Sequence, residues 1–167
     1  MQNSGMDNRQ DLPTADSRIK ILVVDDHPNT ADMLARAISR LSPNVDAIAA
    51  TSGDDAIRHA EEKAADILIT DMMMPEMTGL KLIETLNEKS LSPAVSFLLT
   101  AHDSAELREI ALQTNVKQVI SKPASPELVC EIVQQTMYEL ERSKSENTEA
   151  DSHESTVENK AAVEAVE

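Results

Sequence analysis

The sequence is poor in aromatic residues, glycine and cysteine, and each shortage excludes a class of protein. Phe97 and Tyr138 are its two aromatic residues, too few for a surface that stacks nucleic-acid bases. Three glycines among 167 residues cannot supply a glycine-rich phosphate loop. The single cysteine, Cys130, excludes an internal disulfide and a cysteine-based metal site, and it fits a reducing compartment. We therefore expect a cytoplasmic protein.

Basic residues and long apolar runs are also scarce. Fifteen lysines and arginines stand against 30 acidic residues, giving a formal net charge of −15. A protein that neutralises nucleic-acid phosphates needs a basic face, so we expect no direct nucleic-acid partner. No apolar run approaches the roughly 20 residues of a membrane span, and the amino-terminal residues are too polar for a secretory signal. We expect no membrane insertion.

Composition divides the chain into three parts. Residues 1–17 carry three aspartates against one arginine, and residues 143–167 carry seven acidic residues against two lysines. Neither part shows an apolar face that could offset the entropy lost on ordering, so both are predicted to be disordered tails. Nearly all large apolar residues lie in residues 18–142, which are predicted to form one folded domain.

Within residues 18–142, short apolar runs alternate with stretches of helical periodicity. Five of each kind in alternation predict a doubly wound α/β fold, with a five-stranded parallel sheet and five helices. In such sheets, ligands bind at the carboxyl ends of the strands. The predicted strands are 19–24, 45–50, 67–70, 94–99 and 116–120, and the last predicted helix is about 126–141.

Polar residues stand at four of the predicted strand ends, namely Asp25, Asp26, Asp71, Thr100 and Lys122. Two carboxylates about 4 Å apart repel by about 4 kcal/mol at an effective dielectric constant near 20, so three together need raised pKa values or a cation. Mg²⁺ prefers such oxygen ligands, and lysine and threonine suit phosphoryl oxygens. Each residue alone more often solvates a strand end or caps a helix. Their convergence on one edge favours a metal-assisted phosphoryl site, in which a carboxylate can act as nucleophile.

Five blocks of sequence resemble the receiver domain of bacterial two-component response regulators, and most closely its stand-alone chemotaxis type. The most specific block is the Asp-Met-Met-Met-Pro-Glu-Met-Thr-Gly-Leu stretch that begins at Asp71. The resemblance covers residues 18–142 and implies a flavodoxin-like receiver fold. The other blocks are Leu22–Asp26, Ala50–Gly53 followed by Ala56 and Ile57, Leu99–Ala101 and Lys122–Pro123.

The resemblance also implies a role for each residue at the strand ends. Asp71 would accept a phosphoryl group from the phosphohistidine of a histidine kinase and form an acyl phosphate. Lys122 and Thr100 would bind the phosphoryl oxygens. The implied Mg²⁺ site comprises Asp26, Asp71 and the backbone carbonyl of Met73 as direct ligands, with Asp25 acting mostly through a metal-bound water.

One residue departs from the family pattern in a way that affects signalling. Val119 stands where the family usually carries tyrosine or phenylalanine, three residues before the lysine. A branched aliphatic side chain is stiff at χ1 and cannot swing between buried and exposed positions as an aromatic ring does. Asn115 stands where glycine is common, and asparagine still tolerates the left-handed conformation that ends a helix.

These residues leave several functions open. The leading expectation is a single-domain response regulator that signals by protein contact, because the 25 residues after residue 142 are too few for an output module. Its partners would be a sensor histidine kinase or phosphotransfer protein and an unidentified downstream protein, and its catalysis would be limited to its own phosphorylation and dephosphorylation. A phosphorelay intermediate or an adaptor would use the same site. A dehalogenase-like Mg²⁺-dependent phosphatase fits less well, since it expects Asp-x-Asp at the first strand end, where this chain has Asp25-Asp26-His27.

Overall fold

The computed structural model describes the backbone of residues 18–161 and the side chains of residues 18–143 and 145. The predicted tail of residues 1–17 lies outside the described residues. The strands are β1 (Ile19–Val24), β2 (Val45–Ala50), β3 (Ile67–Asp71), β4 (Val95–Thr100) and β5 (Val116–Ser121). The helices are α1 (Pro28–Ser39), α2 (Gly53–Glu62), α3 (Gly79–Glu88), α4 (Ala105–Gln113) and α5 (Pro126–Ala161).

The five strands form one parallel sheet in the order β2-β1-β3-β4-β5. This is the order of flavodoxin-like folds, and it confirms the predicted five-stranded sheet with five helices. The chain passes from β1 outward to β2 and then returns to place β3 on the other side of β1. Val24 consequently lies opposite Thr70, so that the residues following β1 and the last residue of β3 share one edge of the sheet.

The inner strand β1 carries a buried lysine that is explained by the end of α2. Lys20 is almost fully buried, and its ammonium donates hydrogen bonds to the carbonyl oxygens of His59, at 2.6 Å, and Lys63. The last carbonyls of a helix have no partner within it, and a cation is favourable there. Burial lowers the pKa of Lys20, although the charges of Glu62 and Asp46 act in the opposite direction. Lys20 therefore caps α2 rather than joining a chemical site.

The helices bury the faces that their periodicity predicts, with one correction in α1. Leu82, Ile83 and Leu86 of α3 are buried as expected. The spacing of Met33, Leu34, Ala37, Ile38 and Leu41 predicts one apolar face that includes Met33, but Met33 is 49% exposed. The buried residues Ala31, Leu34 and Ile38 recur at intervals of three and four and define the buried face of the helix. Met33 precedes Leu34 and therefore points away from that face.

Helix α5 is longer than the sequence predicted. It continues to Ala161, whereas the sequence analysis ended it near residue 141 and predicted disorder from residue 143. No glycine or proline interrupts the chain after Pro126, and its alanine, glutamate and lysine residues favour helix. Residues 162–167 lie outside the described part of the chain. From Glu127 onward the chain groups as a unit of its own, and a domain boundary at residue 142 stays a prediction.

Within α5, the buried apolar residues recur at intervals of four. Val129, Val133 and Met137 are buried as predicted, and they lie on one face of the helix. The apolar pattern of the helix also predicts burial of Leu128, but Leu128 is 44% exposed. It precedes Val129 and therefore lies about a quarter turn away from that face.

Gly79 begins α3 where the chain returns to the end of β3. Its N–H donates to the carbonyl oxygen of Met72 at 3.0 Å, and a Cβ at this position would lie 2.4 Å from the carbonyl oxygen of Asp71. The loop between β3 and α3 thus closes directly against the backbone of Asp71. Nearby, Glu76 adopts a left-handed conformation with φ of 68°. Asn115 is also left-handed, with φ of 60°, which confirms the expectation that it replaces a glycine there.

We predict that Gly79→Ala lowers the free energy of unfolding by about 1–3 kcal/mol, because the new methyl group meets backbone that cannot move without displacing Asp71. Gly53→Ala is the matched control: its methyl group would meet the side chain of Met77, whose flexible thioether can shift. Urea unfolding followed by circular dichroism measures both. Equal losses in the two variants would contradict the proposed backbone collision.

Candidate functional site

The site forms where four neighbouring strands end at the same edge of the sheet. Asp25 and Asp26 follow β1, Asp71 is the last residue of β3, and Thr100 is the last residue of β4. Lys122 follows β5, and its N–H donates to the carbonyl oxygen of Thr100 at 2.7 Å. The strand order therefore brings residues that are far apart in the sequence into one crevice.

Lys122 joins two of the buried carboxylates. Its Nζ lies 3.0 Å from Oδ2 of Asp25 and 3.1 Å from Oδ2 of Asp71. Asp25 is 1% exposed and Asp71 is 6% exposed, so their charges are largely removed from water. Burial lowers the pKa of Lys122, but hydrogen bonds from its ammonium to the two carboxylates, together with their charges, outweigh this and raise the pKa. The ammonium neutralises two carboxylates that would otherwise repel each other.

The loop after β3 orients the second oxygen of Asp71. The backbone N–H of Met73 donates to Oδ1 of Asp71 at 3.3 Å, while Oδ2 faces Lys122. The carboxylate is therefore held at both oxygens, in a largely buried position at the end of a fully buried strand. The side chain of Met73 itself is exposed.

His27 is a member of the site that the sequence analysis did not single out. Its Nδ1 lies 3.1 Å from Oδ1 of Asp25 and 3.1 Å from Oδ1 of Asp26. The hydrogen bond to Asp25, followed by the charges of Asp26 and Asp25, raises the pKa of this imidazole. Asp25, Asp26 and His27 each offer one ligand atom within 4.8 Å of the others. The signal for this group was their direct succession in the sequence.

One oxygen of this group lacks a hydrogen bond. Oδ1 of Asp26 is buried and accepts no hydrogen bond among the described residues, and its described contact is Nδ1 of His27, 3.1 Å away. A buried acceptor without a partner costs about 1–3 kcal/mol. A divalent cation would satisfy this oxygen, and carboxylate oxygens are the ligands that Mg²⁺ prefers. The donor set therefore fits a hard divalent ion.

Thr100 is fully buried and contacts the loop that follows it. Its Oγ1 accepts a hydrogen bond from the N–H of His102 at 3.1 Å and lies 3.3 Å from the carbonyl oxygen of the same residue. The hydroxyl thus holds the loop between β4 and α4, and its described hydrogen bonds do not include Asp25, Asp71 or Lys122. In this structure Thr100 is a neighbour of the carboxylate group rather than a direct contact.

Asp103 connects the same loop to α4 and β5, and sequence reasoning did not find this connection. Its carboxylate accepts hydrogen bonds from the guanidinium of Arg108, on α4, and from Oγ of Ser121, at 2.9 Å. The hydrogen bond from Arg108, and then that from Ser121, lower the pKa of Asp103 to about 2. Ser121 immediately precedes Lys122, so this network reaches the edge of the site. We name Asp103, Arg108 and Ser121 the loop latch.

Two further observations concern expectations drawn from the sequence, namely the packing of Val119 and the absence of a membrane-spanning helix among the described residues. Val119, on β5, is partly buried and packs against the hydrophobic core. No helix in the described part of the chain is both long enough and apolar enough to cross a membrane.

Sequence comparison finds relatives among regulators and sensor kinases. The profile of the response regulator receiver domain family matches residues 21–134. The chain is 30% identical over 107 residues to the alkaline phosphatase synthesis transcriptional regulatory protein PhoP of Bacillus subtilis, covering 64% of this chain and 43% of that protein. It is 34% identical over 110 residues to the sensor protein EvgS of Escherichia coli K12, covering 66% of this chain and 9% of that protein. The chain thus spans less than half the length of these relatives.

A shorter relative is matched over most of its length. An uncharacterised 14.6 kDa protein of Leptolyngbya boryana is 32% identical over 128 residues, covering 71% of this chain and 90% of that protein.

Solved structures share the fold. The chemotaxis protein CheY4 of Vibrio cholerae superposes with a TM-score of 0.65 at 24% identity, covering 71% of this chain and 98% of that chain. The CheY-like receiver domain protein of Methanospirillum hungatei gives a TM-score of 0.67 at 20% identity, covering 76% of this chain and 99% of that chain.

The family match and the fold agree. Receiver domains are in general non-enzymatic signalling domains that bind Mg²⁺ at an acidic pocket, and relatives of this chain occur both in sensor kinases and in regulators. The matched residues make up more than half of the chain and include the end of β1, all of β3 and Lys122. The resemblance drawn from the sequence motifs is therefore confirmed, and the chain belongs to the response regulator receiver domain family of two-component signalling.

Proposed function

We propose that Asp71 accepts a phosphoryl group from the phosphohistidine of a sensor histidine kinase or phosphotransfer protein, in the presence of Mg²⁺. The phosphorylated chain then signals through protein contacts that depend on the phosphoryl group. The observation that carries this proposal is the carboxylate of Asp71, held at the end of β3 by Lys122 and by the N–H of Met73.

The phosphoryl transfer uses groups that are already in place. One carboxylate oxygen of Asp71 forms a bond to phosphorus while the bond from phosphorus to the histidine nitrogen breaks, and that nitrogen keeps the electron pair. Lys122, 3.1 Å from Asp71, is placed to neutralise charge on the phosphoryl oxygens. Asp25, Asp26, Asp71 and the carbonyl of Met73 would hold Mg²⁺, which when bound supplies further neutralisation of phosphoryl charge.

The phosphoryl state must also reach the surface. Val119 cannot switch as an aromatic ring does, so we assign the response to the loop between β4 and α4. If the Thr100 hydroxyl turns to a phosphoryl oxygen, the N–H of His102 loses its acceptor and the loop is released. The loop latch then transmits this change, because Asp103 is bonded to Arg108 on α4.

A phosphorelay intermediate would use the same site. A phosphorelay intermediate would pass the phosphoryl group from Asp71 to a second histidine, which transfer of radiolabel to a purified phosphotransfer protein measures. Membership of the receiver family favours the proposed response regulator and the phosphorelay intermediate over a dehalogenase-like phosphatase. Such a phosphatase would turn over an external phosphomonoester many times.

We predict that Asp71→Asn abolishes the uptake of one phosphoryl group per chain from acetyl phosphate, because the amide is not a nucleophile of comparable strength. Intact-mass spectrometry in the presence of Mg²⁺ measures the uptake, and a sample with EDTA tests the need for a metal. Asp54→Asn is the matched control, since Asp54 is an exposed aspartate in the first turn of α2. Unchanged uptake by Asp71→Asn would refute the assignment of the phosphoacceptor.

We predict that Lys122→Met lowers the free energy of unfolding by about 2–3 kcal/mol in EDTA, because Asp25 and Asp71 lose their shared cation. The loss should be smaller in Mg²⁺, since a divalent ion neutralises the same carboxylates. Lys81→Met, which removes an exposed ion pair with Glu84, should change stability by less than about 1 kcal/mol. An equal loss with and without Mg²⁺ would count against a metal at this site.

We predict that Asp103→Ala leaves phosphorylation of Asp71 intact but reduces the response of α4, because the loop latch is removed. Amide chemical shifts measured by NMR with and without acetyl phosphate report the response of Ala105–Gln113. Asp32→Asn, at an exposed position on α1, is the control. If α4 responds as strongly in Asp103→Ala as in the unaltered chain, the latch does not carry the signal.

A further inference from the structure

His27 is the one member of the site to which the proposed phosphoryl chemistry assigns no role. We propose that His27 is a further metal ligand beside Asp25 and Asp26, and that it makes this site favour divalent metals that bind imidazole, such as Ni²⁺, Zn²⁺ or Fe²⁺. The inference deepens the proposed function and rests on it, since it concerns the same acidic site. The observation behind it is the approach of one imidazole nitrogen to two carboxylate oxygens.

The spacing of the three atoms fits a shared ion. Nδ1 of His27 lies 3.1 Å from Oδ1 of Asp25 and 3.1 Å from Oδ1 of Asp26. Adjacent ligands around an octahedral ion with bonds of about 2.1 Å lie about 3 Å apart. The three residues can therefore occupy neighbouring positions around one ion after small movements.

The burial of the Asp26 oxygen supplies a second reason. This oxygen is a buried acceptor without a hydrogen bond among the described residues, and it faces the nitrogen of His27. Oδ1 of Asp25 also contacts Nδ1 of His27, whereas its Oδ2 accepts a hydrogen bond from Lys122. A metal on the His27 side thus leaves the contact between Lys122 and Asp25 in place.

The backbone fixes the position of His27 before any metal arrives. Its N–H donates to Oδ1 of Asp25 at 2.9 Å, and its carbonyl oxygen accepts from the N–H groups of Thr30, at 2.9 Å, and Ala31, at 3.1 Å. The residue caps α1 through its backbone, and its side chain makes no capping hydrogen bond. That side chain is 74% exposed, so the ring is accessible to an ion and is not required by the helix.

Replacing an oxygen ligand by imidazole changes which metals are preferred. Mg²⁺ is a hard ion that keeps oxygen ligands and water, whereas Ni²⁺, Zn²⁺ and Fe²⁺ bind imidazole well. The ring binds as the neutral base, so a proton carried by Nδ1 passes to solvent when the metal takes its place. His27 should therefore contribute to the binding of Ni²⁺ and contribute little to that of Mg²⁺.

Calorimetric titration of the full metal-free chain with Ni²⁺ and, separately, with Mg²⁺ tests this inference. We expect His27→Phe to weaken Ni²⁺ binding at least about tenfold and to change Mg²⁺ binding by less than about twofold. His102→Phe is the matched control, because it removes another exposed histidine from the same end of the sheet and should leave both affinities unchanged. Circular dichroism checks that the variants are folded.

A second readout locates the metal directly. Bound Ni²⁺ is paramagnetic in octahedral coordination and should broaden the imidazole NMR signals of His27 while leaving those of His59 sharp. Unchanged Ni²⁺ affinity in His27→Phe, or an equal fall for Ni²⁺ and Mg²⁺, would overturn the inference. If Asp71 is still phosphorylated with Mg²⁺ in that case, the proposed function stands alone. If His27-dependent Ni²⁺ binding is found but Asp71 takes up no phosphoryl group, the proposed function fails and the metal preference survives.

Discussion

The ion pairs between Lys122 and the carboxylates of Asp25 and Asp71 are the interaction on which the site depends. Lys122 and Asp25 are 97 positions apart, and they meet because β1, β3, β4 and β5 lie side by side in that order. Two buried carboxylates repel each other strongly, so this arrangement exists only with a cation between them. The order of the strands and the charge balance of the site are therefore parts of one constraint.

Lys20, which is buried, and Lys122, which is partly buried, show how environment separates structure from chemistry. Lys20 meets neutral carbonyl oxygens at the end of α2, and burial lowers its pKa. Lys122 is also partly desolvated, but two carboxylates raise its pKa above the ordinary value. A lysine held by neutral carbonyl groups completes a helix. A lysine held by two carboxylates is part of a charge balance, and that balance shifts when a metal or a phosphoryl group binds. The second arrangement is the one suited to signalling.

The sequence predicted the sheet well, because five apolar runs and the polar residues that end them are local features. The rule that parallel strands end at one edge then correctly grouped Asp25, Asp71 and Lys122. The succession of Asp25, Asp26 and His27 marks these residues as neighbours, but the approach of the His27 ring to Asp26 depends on the turn that the backbone makes after β1. The contact of Asp103 with Ser121 joins separate elements, and no local pattern marks it. The length of α5 was underestimated because lack of an apolar face was taken as lack of helix.

Lys122 lies between two groups of residues that act on it from different sides. Through Asp25 it is connected to His27 and to the candidate metal ligands, and through the backbone it follows Ser121, which is bonded to Asp103 of the loop latch. A change of charge at Asp71 must alter the ion pairs of Lys122, because its one ammonium is shared by the carboxylates of Asp25 and Asp71. Val119 provides no aromatic ring to report that change. The short path from Lys122 through Ser121 to Asp103 and Arg108 therefore connects Asp71, the proposed phosphoacceptor, with α4.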